Sequence, residues 1–287
     1  MRVIFAEKIK DIVAELCIQA NLYLRKDILR ALKSAYQKED SQRAKDILGA
    51  IIKNSEVAEK ERLALCQDTG LPVVFLEIGQ EIKIKGNLKK AINKGLESGY
   101  KKGFLRNSIV NPLKRDLLRF SPGIIHTEIV KGNRFKITIL PKGFGCENET
   151  QLKMFNPLTD WSQIKRFIVE TVRLAGPDAC PPYIVGVGIG GTSDYACFLA
   201  KKALLKKVVF HPPSFIHYKI HNMKYGIREM EYDLLNAINR LNIGPMGLGG
   251  RTTALAVNIN IYPTHIAGLP VAVNISCHAL RSATKVL

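Results

Sequence analysis

The chain has no cysteine pair in C-x-x-C spacing, no apolar run of membrane-spanning length, no low-complexity linker and no internal repeat. The first absence argues against a structural zinc module. The second excludes a transmembrane helix. Glu7, Lys8, Lys10, Asp11 and Glu15 interrupt the first twenty residues before the apolar core of a signal peptide could form, so the expected location is the cytoplasm, with no membrane partner. In that compartment the six cysteines stay reduced, which sets aside a disulfide framework and leaves metal binding or plain burial.

Acidic residues are also scarce: 25 Asp and Glu stand against 43 Lys and Arg, for a formal net charge of +18. The basic residues come as scattered pairs, such as Lys89-Lys90, Lys101-Lys102, Lys201-Lys202 and Lys206-Lys207, with no dense basic arm or aromatic-interleaved RNA motif. A solvated lysine-rich surface is the expectation, with no nucleic-acid partner. Such a field would still draw in a small dianion or an acidic subunit.

What is present is material for a sizeable core, since 46% of 287 residues are hydrophobic. Ile9, Ile12, Val13, Leu16 and Ala20 recur at helical spacing; Asp27 caps a second helix through Ala35, and a third runs from about Ser41 through Ile52. Residues 1–60 are therefore expected to be a helical layer. Strands are expected at Pro72 to Gly79, Ala254 to Tyr262 and Leu269 to Ser276, and helices at Leu88 to Lys101, Trp161 to Ala175, Ser193 to Lys206 and Met230 to Leu241. Ile124 to Val130 and Arg134 to Leu140 flank Lys131-Gly132-Asn133, a hairpin signal. Lys207 to Ile227, with Pro212-Pro213 and three histidines, reads as an excursion. The fold class is mixed α/β, one domain over 1–287.

Three cysteines lie in unusual surroundings: Cys66 in Cys66-Gln67-Asp68-Thr69-Gly70, Cys180 before Pro181-Pro182, and Cys277 before His278. Three thiolates that converge from distant positions could hold an iron-sulfur cluster and leave one iron open. Gly186, Gly188 and Gly191 satisfy G-x-G-x-x-G, but the acidic residue a dinucleotide site needs about twenty positions on is absent. An anion site at the following helix start and a tight strand-helix contact weigh about equally for this run taken alone. A second glycine-rich stretch, Gly244 to Thr253, repeats the theme.

These motifs, with Lys142-Gly143-Phe144-Gly145-Cys146-Glu147-Asn148 and Thr264-His265-Ile266-Ala267-Gly268, resemble in order the class I fumarate hydratase and L(+)-tartrate dehydratase family, α subunit or N-terminal catalytic domain. The resemblance implies a 4Fe-4S cluster on Cys66, Cys180 and Cys277, mixed sheets packed with helices around it, and Asp68 and His265 as catalytic residues. It also implies substrate contacts from Gln67, Arg106, Gly143, Gly145 and Asn148. Cys17, Cys146 and Cys197 are read as buried small hydrophobes. By itself His265 is more often hydrogen-bonded structure, and only the matching position favours a site role. His278 is left out, because it points away from the ligand side if its segment is extended.

The implied activity is a hydro-lyase reaction on a C4 dicarboxylate, fumarate to L-malate as in the tricarboxylic acid cycle, or tartrate to oxaloacetate as the alternative. An open iron would act as Lewis acid on the leaving hydroxyl, and a planar guanidinium such as that of Arg106 matches the two oxygens of a carboxylate. The chain ends ten residues after Cys277. The family's basic substrate residues and catalytic base are therefore expected from a β subunit, in an α2β2 assembly. Outside enzymes, a structural metal site on Cys66, Cys180, Cys277 and His265 and a basic binding module are the competing readings.

Overall fold

A computed structural model describes residues 2–118, 122–208 and 226–287. In chain order the elements are β1 (Arg2–Phe5), α1 (Ala6–Leu22), α2 (Lys26–Lys38), α3 (Gln42–Glu61), β2 (Leu71–Gly79), β3 (Ile82–Lys85), α4 (Leu88–Lys102), β4 (Ile124–Val130) and β5 (Phe135–Lys142). Then come α5 (Phe144–Glu147), β6 (Gln151–Phe155), α6 (Trp161–Ala175), β7 (Tyr183–Gly191), α7 (Ser193–Ala203), α8 (Ile227–Asn239), β8 (Ala254–Thr264), β9 (Leu269–Ser276) and β10 (Ala283–Val286). The fold is mixed α/β, with an N-terminal helical region followed by mixed sheets packed with helices. Most of the excursion expected at Lys207 to Ile227 lies outside the described residues.

The chain forms two compact units. The first comprises the stretch ending at Arg25, then Asn54–Phe144 and Arg281–Leu287. Its sheet has the order β10-β5-β2-β4, and β1 pairs with β3 in parallel. Val74 and Leu76 of β2 and Phe135, Ile137 and Ile139 of β5 are buried with Ile9, Val13, Ile92 and Leu96 from α1 and α4. Alternate strand positions face the helices, as period-2 geometry requires. The two helices approach closely because Gly95 and Gly99 carry no side chain. A Cβ there would lie 2.5 Å from the Lys10 carbonyl oxygen and 2.7 Å from that of Ala14.

The strands expected on either side of Lys131-Gly132-Asn133 both form, but they do not pair as a hairpin. β2 lies between them, parallel to β4 and antiparallel to β5. The turn wraps the end of β2: the N–H groups of Gln80 and Glu81 donate to the carbonyls of Val130 and Gly132, at 2.9 and 3.0 Å. A turn signal reports a local reversal; whether a third strand enters depends on chain some fifty residues away. In β4, Ile124 and Ile129 are exposed.

The second unit comprises Lys26–Lys53 and Gly145–Leu280. Its sheet has the order β6-β9-β7-β8. Val185, Val187 and Ile189 of β7 join Val271, Val273 and Ile275 of β9 in a core with Ile168 and Val172 of α6 and Leu234 and Ile238 of α8. The opposite face of β7 carries Gly186 and Gly188, and α7 lies on it. A Cβ at these positions would stand 2.2 Å from the Ala200 carbonyl oxygen and 2.1 Å from that of Ala196. The G-x-G-x-x-G run is thus mostly strand interior, and its first two glycines serve close strand-helix packing rather than a nucleotide loop.

Candidate active site

The stretch from Cys66 to Gly70 follows α3 and enters β2. Gly70 has φ +75, and a Cβ there would meet the Pro141–Lys142 backbone at 2.8 Å, so the turn reverses flush against the end of β5. Both oxygens of Asp68 are held by backbone N–H groups, Oδ1 by Gly70 at 2.9 Å and Oδ2 by Phe144 at 2.8 Å. The Tyr100 hydroxyl, buried under the turn, reaches the Thr69 and Gly70 carbonyls at 2.8 and 3.1 Å. Burial pushes the Tyr100 phenol far above its ordinary range, so it stays a neutral donor.

Thr69 Oγ1 donates to the Arg106 carbonyl at 2.9 Å, which ties the turn to the segment bearing the exposed Arg106. Arg281 Nη2 donates to the Asp68 carbonyl at 2.7 Å. Gly143 lies beside both groups: an ideal Cβ on it would be 3.3 Å from Asp68 Oδ2 and 3.9 Å from Arg281 Nη2. Gln67 is exposed, and its Oε1 accepts from the Cys66 thiol at 3.5 Å. The first unit thus brings together Cys66, Gln67, Asp68, Arg106 and Gly143 of the predicted set.

In the second unit, Gly145 and Asn148 are exposed near α5. Glu147 beside them pairs with Lys201 and accepts from Asn274 Nδ2 at 3.0 Å. Cys146 is buried, donates to the Ala179 carbonyl at 3.4 Å and accepts the Cys277 N–H at 3.1 Å. Cys180 holds φ +56 just ahead of the cis Pro181–Pro182 bond, and its carbonyl lies 3.0 Å from His278 Nδ1. A carbonyl only accepts, so Nδ1 carries the proton in that contact. His278, set aside in the sequence reading, therefore has a definite partner: its segment turns after β9 instead of continuing extended. His265 is exposed at the turn after β8, where its Nδ1 accepts the Ala267 N–H at 3.2 Å.

The expected 4Fe-4S cluster is not supported by this arrangement. Among the described residues no three His, Cys, Asp or Glu side chains are grouped so as to hold a metal ion. Cys66 belongs to the first unit and Cys180 and Cys277 to the second, so neither unit on its own supplies the three thiolates. Iron-sulfur and metal-binding descriptions of this chain are corrected accordingly, and so is the structural metal site on the same cysteines with His265. Cys17 is fully buried, as expected of a small hydrophobe. Cys197 is only half-buried, with desolvation the leading cause that raises its thiol.

Three site features escaped the sequence reading. Tyr100 and Arg281 each sit far in sequence from the turn they hold, Tyr100 in a helix with no motif and Arg281 at the end of the Cys277 stretch, where no role was read for it. The Glu147–Lys201–Asn274 group joins three elements of the second unit; Lys201 stood out only as half of a basic pair and Asn274 only as part of an expected strand. No helix among the described residues is long and apolar enough to cross a membrane.

The fumarate hydratase (Fumerase) family model matches residues 10–286. A Methanocaldococcus jannaschii protein named "Putative L(+)-tartrate dehydratase subunit alpha" is 42% identical over 286 residues, covering 97% of each chain. The L(+)-tartrate dehydratase α subunits of Escherichia coli K12 and Shigella sonnei are each 27% identical over 282 residues, covering 96% of this chain and 90% of theirs. With a match that spans nearly every element described above, the chain belongs to the class I fumarate hydratase and tartrate dehydratase α-subunit family.

Proposed function

We propose that this chain is the α subunit of a hydro-lyase that dehydrates L(+)-tartrate to oxaloacetate and that works with a β subunit. The observation that carries the substrate is the 42% identity, over 97% of both chains, to a protein whose name specifies that activity and subunit. It favours tartrate over the fumarate–malate pair, the main expectation from sequence; the family description supports the latter as second reading.

The reaction breaks one C–O and one C–H bond on adjacent carbons, releases water and leaves an enol that becomes oxaloacetate. Asp68 is assigned the hydroxyl that stays on the substrate. Each of its oxygens is already fixed by one N–H, and a carboxylate oxygen has a second lone pair with which to accept from the substrate hydroxyl. Gln67 offers an amide beside it. Arg106 grips a carboxylate with its planar fork, and the absent side chain of Gly143 leaves room for that carboxylate to approach. Gly145, Asn148 and His265, in the second unit, keep the substrate-contact and catalytic roles that the family resemblance implies. The C–H proton is removed by a group on the β subunit, and the departing hydroxyl takes up one proton to leave as water, so that no net proton is gained or lost. The positive charge of the chain, +18 by formal count, favours capture of a dianion.

Co-purification with the β subunit followed by parallel assays of L(+)-tartrate and L-malate tests the reading. A site built to bond the second hydroxyl of tartrate should favour it over malate in kcat/KM by roughly 10-fold or more. A preference of that size for malate and fumarate would replace the tartrate assignment with the fumarase one, and no turnover of either would refute the hydro-lyase reading.

A further inference from the structure

We propose that Arg281 is a positioning residue for this reaction, one that holds the Asp68 turn in its working geometry without touching substrate. The proposal rests on the hydro-lyase reading and adds to it a residue outside the motifs. Arg281 is 4% exposed, and its buried Nε and Nη1 have no hydrogen-bond partner among the described residues. Its one bond runs from Nη2 to the Asp68 carbonyl, at 2.7 Å. Among the described residues it enters no ion pair.

A buried cation with unused donors lowers the stability of a fold, so packing does not explain it. A buried unsatisfied group of this kind calls for a separate reason. Its placement supplies one. β10 pairs antiparallel with β5 from Ala283 opposite Ile139, which carries Arg281, two residues earlier, to the end of β5 where Gly143 follows. There the guanidinium and the Asp68 carboxylate close on one point, within 3.9 and 3.3 Å of where a Gly143 Cβ would be. Asp68 is thereby fixed at three atoms: Oδ1 by Gly70, Oδ2 by Phe144 and the carbonyl by Arg281. Loss of the third tie frees the peptide to rotate and moves the carboxylate with it.

The test uses the complex with its β subunit and the variants Arg281→Lys, Arg281→Met and Arg281→Ala. For Arg281→Lys and Arg281→Met, kcat should fall about 100-fold, the scale of a misplacement near 1 Å, with KM within about 3-fold of the parent. The Tm should be unchanged or raised, because unpaired buried donors are removed or reduced. Guanidinium added to Arg281→Ala should recover at least about 10-fold in kcat, as expected if a positioned group is being restored. In the isolated chain, hydrogen exchange at the Gly70 and Phe144 amides should quicken in Arg281→Met while Val74, in the core of β2, keeps its protection.

Unchanged kcat in Arg281→Lys, or a kcat loss that follows a lowered Tm and exchange quickened throughout, would overturn the proposal in favour of no role or a purely structural one. A rise in KM with kcat retained would overturn it in favour of direct substrate binding. If the parent complex turns over neither tartrate nor malate, the functional reading fails first. The exchange measurement then decides the Asp68–Arg281 coupling alone, with uniform protection as the refuting result.

Discussion

The turn around Asp68 and the glycine strand β7 both stand out in the sequence as site-like, yet they are built for opposite ends. At the Asp68 turn, polar groups from α4, from the Arg106 segment and from the residues before β10 converge on three consecutive residues. In the middle of β7 close packing takes over: Gly186 and Gly188 let α7 lie on the strand backbone. Glycines in sequence announce close approach, but what approaches is decided elsewhere. The difference makes the two regions sensitive to different changes, activity for one and stability for the other.

The largest effect expected is that of Asp68→Asn. It removes the carboxylate from the turn while the amide oxygen can still take one N–H bond, so kcat with tartrate should fall by about 100-fold or more as the Tm stays near the parent's. Steady-state kinetics beside a thermal melt would show it, and a matched loss of both would erase the contrast with β7. Next is Gly188→Ala, whose new methyl would lie 2.1 Å from the Ala196 carbonyl oxygen, a backbone atom that cannot move unless α7 shifts. Overpacking of this kind should cost about 3 kcal/mol in denaturant unfolding. A Gly188→Ala protein of parental stability would show that α7 can retreat.

Tyr100→Phe should come third. It strips the buried donor shared by the Thr69 and Gly70 carbonyls, so unfolding free energy should drop by about 1–3 kcal/mol. Unlike the β7 change, it should also reduce kcat, because it loosens the turn to which the proposed function assigns substrate binding. Arg106→Lys keeps the charge and loses the fork, and kcat/KM should decline by about 10-fold with no change in Tm, the equivalent of one good hydrogen bond to a charged group. Smallest of all is Cys197→Ser, on the α7 side of the second sheet, which should shift stability by less than about 0.5 kcal/mol and leave activity untouched. A large activity loss there would put function on the β7 face after all.

Most secondary structure was legible before any coordinates. α6 spans Trp161–Ala175 and β9 Leu269–Ser276, as the apolar periodicity predicts, and α1, α4, β2 and β8 differ by a few terminal residues. Short edge strands were not: β1, with only Ile4 buried, and β10 carry too few periodic positions to register. The turn at Lys131-Gly132-Asn133 was correctly a reversal and wrongly a hairpin. Side-chain and turn preferences act over a handful of residues, whereas the insertion of β2 is settled by which strand buries Val74 and Leu76 against both helices.

The site divides along the same line. Motif order carried the family, and that resemblance pointed to Gln67, Asp68, Arg106 and Gly143, which the first unit brings near one turn. The grouping of Cys66, Cys180 and Cys277 was an inference about convergence, a property of tertiary placement that spacing does not encode, and the described residues do not bear it out. Arg281 shows the converse. It closes the Cys277 stretch without any role legible there; burial, two nitrogens with no partner among the described residues and a bond to the Asp68 carbonyl mark it, because a hydrogen bond between residues 213 positions apart exists only once β10 has paired with β5.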